Sequence, residues 1–270
     1  MKILHRIFHQ FCGVWPFERG RDFFMRHTLH GSFGSYLAEF DPWTTTRDGW
    51  PIRTNMGHDY AAQMLKMFRE LEPTTKQFLL RHMPSDGLFL DIGANVGYFS
   101  LLIAHATPSG SVIALEPNPP IAALLEESIA RNQLGSRVSL HRIAAADKAG
   151  TLQFGVDADN TGHSRLANEH HAGSLAVETV VLDEWLPPRL EGRRLSLVKI
   201  DVEGAECRVL RGMSRLIAEH HPAIVVEGFD EYLREFGDSL ANLRTLLVQA
   251  GYEEVLPSDG NLYVLPRPKG

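Results

Sequence analysis

The segment Leu90-Asp91-Ile92-Gly93-Ala94-Asn95-Val96-Gly97 constrains this chain more than any other stretch. An apolar run enters a tight glycine turn, and a helical pattern from Tyr98 to Ala106 starts directly after it. Glycine is needed where a backbone turns sharply and must approach a ligand without a Cβ in the way. Strand, glycine turn and helix in that order put a ligand loop at the carboxyl end of a first strand. Open α/β sheets bind their ligands there.

From Gly87 onward the chain repeats the strand–helix rhythm of βαβ units. GLFLDIG (87–93) reads as the first buried strand and SVIALEP (111–117) as the second, with a helix through about Asn132. VSLHRIAA (138–145) is the third, LSLVKIDVEG (195–204) the fourth, and AIVVEGF (223–229) the fifth. A helix is expected from Ala205 to about Glu219, and another from Leu240 to Ala250 with Gly251 as its C′ residue. YEEVL (252–256) and NLYVL (261–265), joined by Pro257-Ser258-Asp259-Gly260, read as a terminal antiparallel pair. TLQFGV (151–156) looks like an edge strand or hairpin arm and LAVETVVL (175–182) like a further β-rich run, either side of a polar insertion at 157–174. The pattern predicts an α/β, Rossmann-like domain: a seven-stranded, mostly parallel sheet with helices on both faces and an antiparallel last strand beside the fifth. Residues 1–86 are aromatic and turn-rich, with helical stretches near Tyr60–Leu71 and Thr75–His82. They read as an N-terminal cap over the crevice end of the sheet, giving a cap segment at 1–80 and the sheet domain at 81–270.

Charge narrows the partners. With 27 basic and 33 acidic residues among 270, the net charge is −6. Proteins that hold nucleic acid by neutralising phosphates carry a basic field instead. Cys12 and Cys207 form neither a ligand pair nor a disulfide framework, which suits a reducing, cytoplasmic setting. No run reaches the roughly 18 apolar residues of a membrane span. The N-terminus has no apolar stretch free of His, Arg and Gln, so no secretory signal is expected. Ile3, Leu4, Ile7, Phe8 and Phe11 do fall at helical spacing. They read as a helix packed on the domain, with a membrane-surface or partner contact through residues 1–11 as the alternative.

The polarity of the glycine loop bears on its ligand. A dinucleotide site prefers Gly-x-Gly-x-x-Gly and a helix N-terminus for pyrophosphate. Here the pattern is Gly93-x-Asn95-x-Gly97, with Asp91 at the entry. A carboxylate there repels pyrophosphate and attracts an ammonium or sulfonium group, which favours S-adenosylmethionine over NAD. Glu116, ending the second strand about 20 residues on, can accept both hydroxyls of a ribose.

The fourth strand carries the second constellation. Val198-Lys199-Ile200-Asp201-Val202-Glu203 alternates, so Lys199, Asp201 and Glu203 are expected on one face. In a doubly covered sheet three charges on one face are costly unless they pair or open onto a site. One reading is a structural Lys199–Asp201 ion pair. The other is an active site, with Asp201 as general base or acceptor-orienting group, Lys199 tuning it or holding an anionic acceptor, and Glu203 and Glu206 orienting the substrate. The same carboxylates could bind a divalent cation, but no second ligand cluster supports one, and no metal is predicted. Glu227, ending the fifth strand, faces the crevice or caps the sheet edge; His163 is a candidate substrate contact.

The chain resembles FkbM-type methyltransferases, a branch of the class I S-adenosylmethionine-dependent enzymes. The matching pieces are FLDIGANVGYFSL (89–101), ALEPNP (114–119), Ala144–Asp147, Asn160-x-Gly162-x-Ser164, Leu182-Asp183 and LVKIDVEGAE (197–206), within roughly residues 70–265. The resemblance implies a Rossmann-like class I methyltransferase fold with S-adenosylmethionine as cofactor. It implies Asp91 and Gly93 by the methionine, Asn95 and Gly97 completing the loop, Glu116 on the ribose and Asn118 near the adenosine. It also implies Ile143–Ala145, Ala144 included, walling the adenine, with Asp147 reaching its amine. Asn160 and Ser164 join His163 as candidate acceptor contacts. Phe68-Arg69-Glu70-Leu71-Glu72-Pro73 departs from the tyrosine-glutamate-proline pattern of that family, so Glu72 is given no role. The acceptors the resemblance implies are hydroxyls of sugars, glycolipids or polyketide-type natural products. A nicotinamide-dependent oxidoreductase and a methyltransferase acting on a macromolecule are the alternatives; the acidic charge opposes the nucleic-acid form of the second.

Overall fold

A computed structural model describes residues 42–54, 60–155, 165–166, 174–256 and 260–268. The helix expected over residues 1–11, Cys12, and the acceptor candidates Asn160, His163 and Ser164 lie outside the described residues.

In chain order the elements are β1 (Trp43–Thr45), β2 (Pro51–Arg53), α1 (Tyr60–Phe68), α2 (Pro73–His82), β3 (Leu88–Ile92), α3 (Tyr98–Ala106), β4 (Ser111–Leu115) and α4 (Pro119–Arg131). Then follow β5 (Val138–His141), β6 (Ala144–Ala145), β7 (Gly150–Gly155), β8 (Arg165–Leu166), β9 (Ser174–Val180), α5 (Leu182–Trp185) and β10 (Leu195–Ile200). The last are α6 (Glu206–Gly212), α7 (Ser214–His220), β11 (Ala223–Glu227), α8 (Asp230–Glu235), α9 (Leu240–Gln249), β12 (Tyr252–Glu254) and β13 (Asn261–Pro266).

Seven strands make the central sheet in the order β12-β13-β11-β10-β3-β4-β5. Six run in the same direction, and β13 alone among the seven runs antiparallel, to both β11 and β12. The expected reversed strand therefore enters beside the fifth core strand. Strands β3, β10 and β11 are apolar nearly throughout because helices cover both faces. On one face Phe89, Leu197, Val225 and Tyr263 pack with Phe78 and Leu79 of α2, Leu101 of α3 and Leu125 of α4. On the other, Leu90, Val198, Ile200 and Val226 meet Leu210 of α6, Leu216 of α7 and Leu243 of α9.

Two expected elements break. The third strand ends at His141, and Ala144–Ala145 instead pairs in parallel with β9. Between them Arg142 is exposed and meets Glu126 of α4 at 2.8 Å, which a continuous buried strand would not allow. β6, β9, β7 and β8 form a separate four-stranded sheet, so the two β-rich runs around the insertion pair with each other and not with the central sheet. The helix after the fourth strand divides at buried Met213, whose ψ of 20° leaves the helical range.

The described part of the N-terminal segment lies mainly on a helical face of the sheet. The β1–β2 hairpin rests on α4: the Arg53 N–H donates to Ser128 Oγ at 2.8 Å, and Arg131 stacks over Trp43. Helix α2 spans residue 80, where a boundary was expected, and shares one core with the sheet. Its N-cap residue, Glu72, lies beside Asn261 at the start of β13.

Candidate active site

The glycine loop is fixed by contacts that allow no side chain. Gly93 has φ 78°, and a Cβ there would stand 1.8 Å from the Asp201 carbonyl oxygen. Gly97, with φ 85°, caps α3, and its Cβ would strike Leu125 at 2.0 Å. Asn95 sits between them in the left-handed region and accepts the Val96 N–H through its own Oδ1. The loop thus lies against the end of β10, and the two sequence constellations become one site.

Glu116 is buried where β4 ends. Its Oε2 accepts the Asn95 N–H at 2.8 Å and its Oε1 the Asn118 N–H at 2.9 Å. Burial pushes its carboxyl up to about 7, against the pull of those two N–H groups. Asp91 is 1% exposed: Oδ2 takes the Ser100 hydroxyl at 2.6 Å, while Oδ1 is buried with no hydrogen-bond partner among the described residues. Asn118 is equally buried, and both polar atoms of its side-chain amide lack partners among the described residues. Unsatisfied buried polar atoms are rare and costly in native interiors. Asp91 and Asn118 offer, in order, a negative acceptor and a donor–acceptor pair on either side of Glu116. That set fits the ammonium, ribose and nucleoside parts of S-adenosylmethionine.

Lys199 is the hub of the second constellation. It neighbours Asp91 in the β10–β3 register and lies over the Phe99 ring at 5.1 Å. Its Nζ donates to Asp201 Oδ2 at 2.6 Å, with side-chain exposures of 4% for Lys199 and 29% for Asp201. The lysine is therefore enclosed and the aspartate opens to the crevice. Burial works against the ammonium, but Asp201, Glu72 and Asp91 outweigh it and hold the Lys199 pKa above its usual value. So enclosed, the ammonium is spent on the protein's own carboxylates, and the expected grip on an anionic acceptor is withdrawn.

The strict alternation ends sooner than expected. β10 stops at Ile200, and Glu203 takes a left-handed φ of 56° in the loop beyond. That turn still brings carboxylate oxygens of Asp201, Glu203 and Glu227 within 4.8 Å of one another. Burial, then Asp201, Glu203 and Glu206, raise the Glu227 pKa well above the ordinary carboxylate value. Glu206 itself is a correction. Its Oε1 turns back to accept the Gly204 and Val202 N–H groups at 3.0 and 3.2 Å, so it anchors the loop and does not orient substrate. Ala144 is buried in β6, whereas Asp147 is exposed.

Glu72 is the residue that sequence reasoning set aside. Its Oε2 accepts the Thr75 hydroxyl at 2.9 Å and the Asn261 amide at 3.1 Å, and Thr75 Oγ1 lies 2.9 Å from the Tyr263 hydroxyl. Burial raises its pKa and Lys199 draws it back, so it belongs to the same electrostatic cluster as Asp201. The available signal was a glutamate before a proline at a helix start, which carries no charge partner in sequence.

A parallel core with a reversed β13, a glycine loop entered by a buried aspartate and a carboxylate at the next strand end define a Rossmann-like class I methyltransferase. The model of the Methyltransferase FkbM domain matches residues 91–254. This chain belongs to the FkbM methyltransferase family. It is similar to methyltransferase sdnD of Sordaria araneosa, at 29% identity over 180 residues, covering 56% of this chain and 70% of that one. The hexuronic acid methyltransferase AglP of Haloferax volcanii is 30% identical over 151 residues, 55% of this chain and 59% of its own length. The 31-O-demethyl-FK506 methyltransferase FkbM of Streptomyces tacrolimicus is 29% identical over 196 residues, 60% and 74% respectively. The nicotinamide alternative falls with the family.

Proposed function

We propose that this protein transfers the methyl group of S-adenosylmethionine to a hydroxyl of a sugar or natural-product small molecule. The observation that carries the reading is the buried Asp91 Oδ1 and Asn118 amide flanking Glu116, which have no hydrogen-bond partner among the described residues. Asp91, Glu116 and Asn118 would hold the cofactor, with Gly93, Asn95 and Gly97 shaping the loop and Ala144 bordering the nucleoside. When bound, S-adenosylmethionine supplies an electrophilic methyl carbon. Asp201 orients the acceptor hydroxyl and takes its proton, while Lys199 fixes the carboxylate that does so. Glu203 and Glu227 stand beside Asp201 on the acceptor side of the crevice. Two relatives named for a hexuronic acid and for 31-O-demethyl-FK506 support a small hydroxylated acceptor. The acidic net charge supports it over nucleic acid. Among the described residues no helix is long and apolar enough to cross a membrane; we place the enzyme in the cytoplasm because cysteine is scarce.

Calorimetry with S-adenosylmethionine and NAD is the first test, with saturable binding expected for the former alone. Methyl transfer to a panel of sugars, glycolipid fragments and polyketide alcohols, read by product mass, is the second. Methylation of nitrogen or carbon acceptors in place of hydroxyls would refute the assignment.

A further inference from the structure

Asp201, Glu203 and Glu227 come from two strand ends, the first two from the loop after β10 and the third as the last residue of β11. One oxygen of each lies within 4.8 Å of those of the other two, and the described residues hold no other such trio of His, Cys, Asp or Glu. Two oxygens bound to one calcium ion at about 2.4 Å stand at most about 4.8 Å apart, so this spread suits a single ion.

A second observation is independent of that spacing. Glu227 Oε2 is shielded from solvent and accepts no hydrogen bond among the described residues. A carboxylate oxygen so placed needs a proton or a cation. Among the described residues the charged groups facing Glu227 are Asp201, Glu203 and Glu206, and of opposite sign Lys199. Lys199 is already committed to Asp201 Oδ2 and drawn on by Glu72 and Asp91. Asp201 keeps its other oxygen for the crevice.

We propose that Asp201, Glu203 and Glu227 together bind one divalent hard cation, of the magnesium, manganese or calcium type, on the acceptor side of the crevice. An all-oxygen, all-carboxylate set selects such ions over softer metals. Bound there, the ion would align and polarise the acceptor hydroxyl. The binding claim stands on the three carboxylates alone; its catalytic use rests on the hydroxyl transfer proposed above.

The test is titration of the chelator-treated full chain with manganese, followed by electron paramagnetic resonance and calorimetry. One ion per chain is expected, with a Kd of about 1 mM or tighter, displaced by magnesium or calcium. Glu227→Gln and Glu203→Gln should each weaken it about tenfold or more, with circular dichroism reporting the fold, and exposed Glu178→Gln should leave it unchanged. No saturable manganese binding, or equal binding in Glu227→Gln and Glu203→Gln, overturns the proposal. S-adenosylmethionine binding on the same preparations separates the two readings: donor bound without manganese sinks the cation site alone. Manganese held through Glu227 with only nitrogen acceptors methylated supports the site and sinks the hydroxyl reading.

Discussion

Glu116 combines two roles that pull its charge in opposite directions. It receives two loop N–H groups, which favour the carboxylate, and it is buried, which favours the acid; burial wins and sets its pKa near 7. A ribose is best held by the ionised form, so affinity for S-adenosylmethionine should rise as pH increases from 6 to 8. Glu116→Gln should flatten that rise, and Glu116→Ala should lose about 1–3 kcal/mol of binding, the range for charge-assisted hydrogen bonds. Calorimetry across that pH range checks both, and an unchanged affinity in a folded variant would remove Glu116 from the ribose. Asp201→Asn tests the other half of the site. Turnover should fall about 10²–10⁴-fold, as for loss of a general base, while the cofactor still binds. Lys199 keeps Glu72 and Asp91 nearby, so the melting temperature should fall less than the 3–5 kcal/mol typical of an orphaned buried charge would produce. Single-turnover rate and melting temperature on one preparation decide it: a large thermal loss with the rate intact would make Asp201 structural.

The glycine loop is the element on which the site turns. Gly93→Ala would drive a methyl into the Asp201 carbonyl, and backbone cannot yield as a side-chain tip can. The loop must then leave the end of β10, separating Glu116 from Asp201. Destabilisation of about 1–3 kcal/mol or more is expected, as for overpacking, with a loss of cofactor affinity measurable by calorimetry. This loop was legible because glycine, aspartate and apolar strand residues sit side by side in sequence, as do Glu116 after β4 and Asp201 after β10. What could not be read depends on approach across the fold. Glu72 meets Lys199 only because α2 packs on the sheet, and Glu206 turns inward only because the loop at Gly204 offers it N–H groups. The third strand looked continuous because apolar residues flank the His141-Arg142 pair, and hydropathy alone does not show that Ala144 and Ala145 change sheets.

At the scale of the whole molecule, buried acids make stability depend on pH in an unusual sense. Glu116 and Glu206 are both pushed up to about 7 by burial, so the folded chain keeps protons that the unfolded chain releases above about 4.5. Their contribution is full below that value and is lost as pH rises through 7. Asp238, held low by Arg211, contributes in the opposite direction, stabilising above its ordinary value of 3.8 and failing on acidification. The protein without cofactor should therefore melt higher at pH 5.5 than at pH 8, by about 2–4 °C for each kcal/mol involved. Scanning calorimetry of the wild type and Glu206→Gln checks this; an identical pH slope in the two would exclude Glu206 as a source.

The position of β13 has a consequence for how the molecule is made. This strand fills an interior lane between β11 and β12, and its Asn261 and Tyr263 reach back to Glu72 and Thr75. Asn261 and Glu72 are 189 residues apart. At about 5–20 residues per second, a nascent chain waits roughly 10–40 s between making the glutamate and making its partner. In the last part of that interval, once β11 has been made and before β13 follows, β11 presents an open edge, a template for pairing with the wrong chain. The crevice carboxylate synthesised early completes its hydrogen bonds only with a strand synthesised late, so catalytic competence should arrive with the final lane of the sheet and not by degrees.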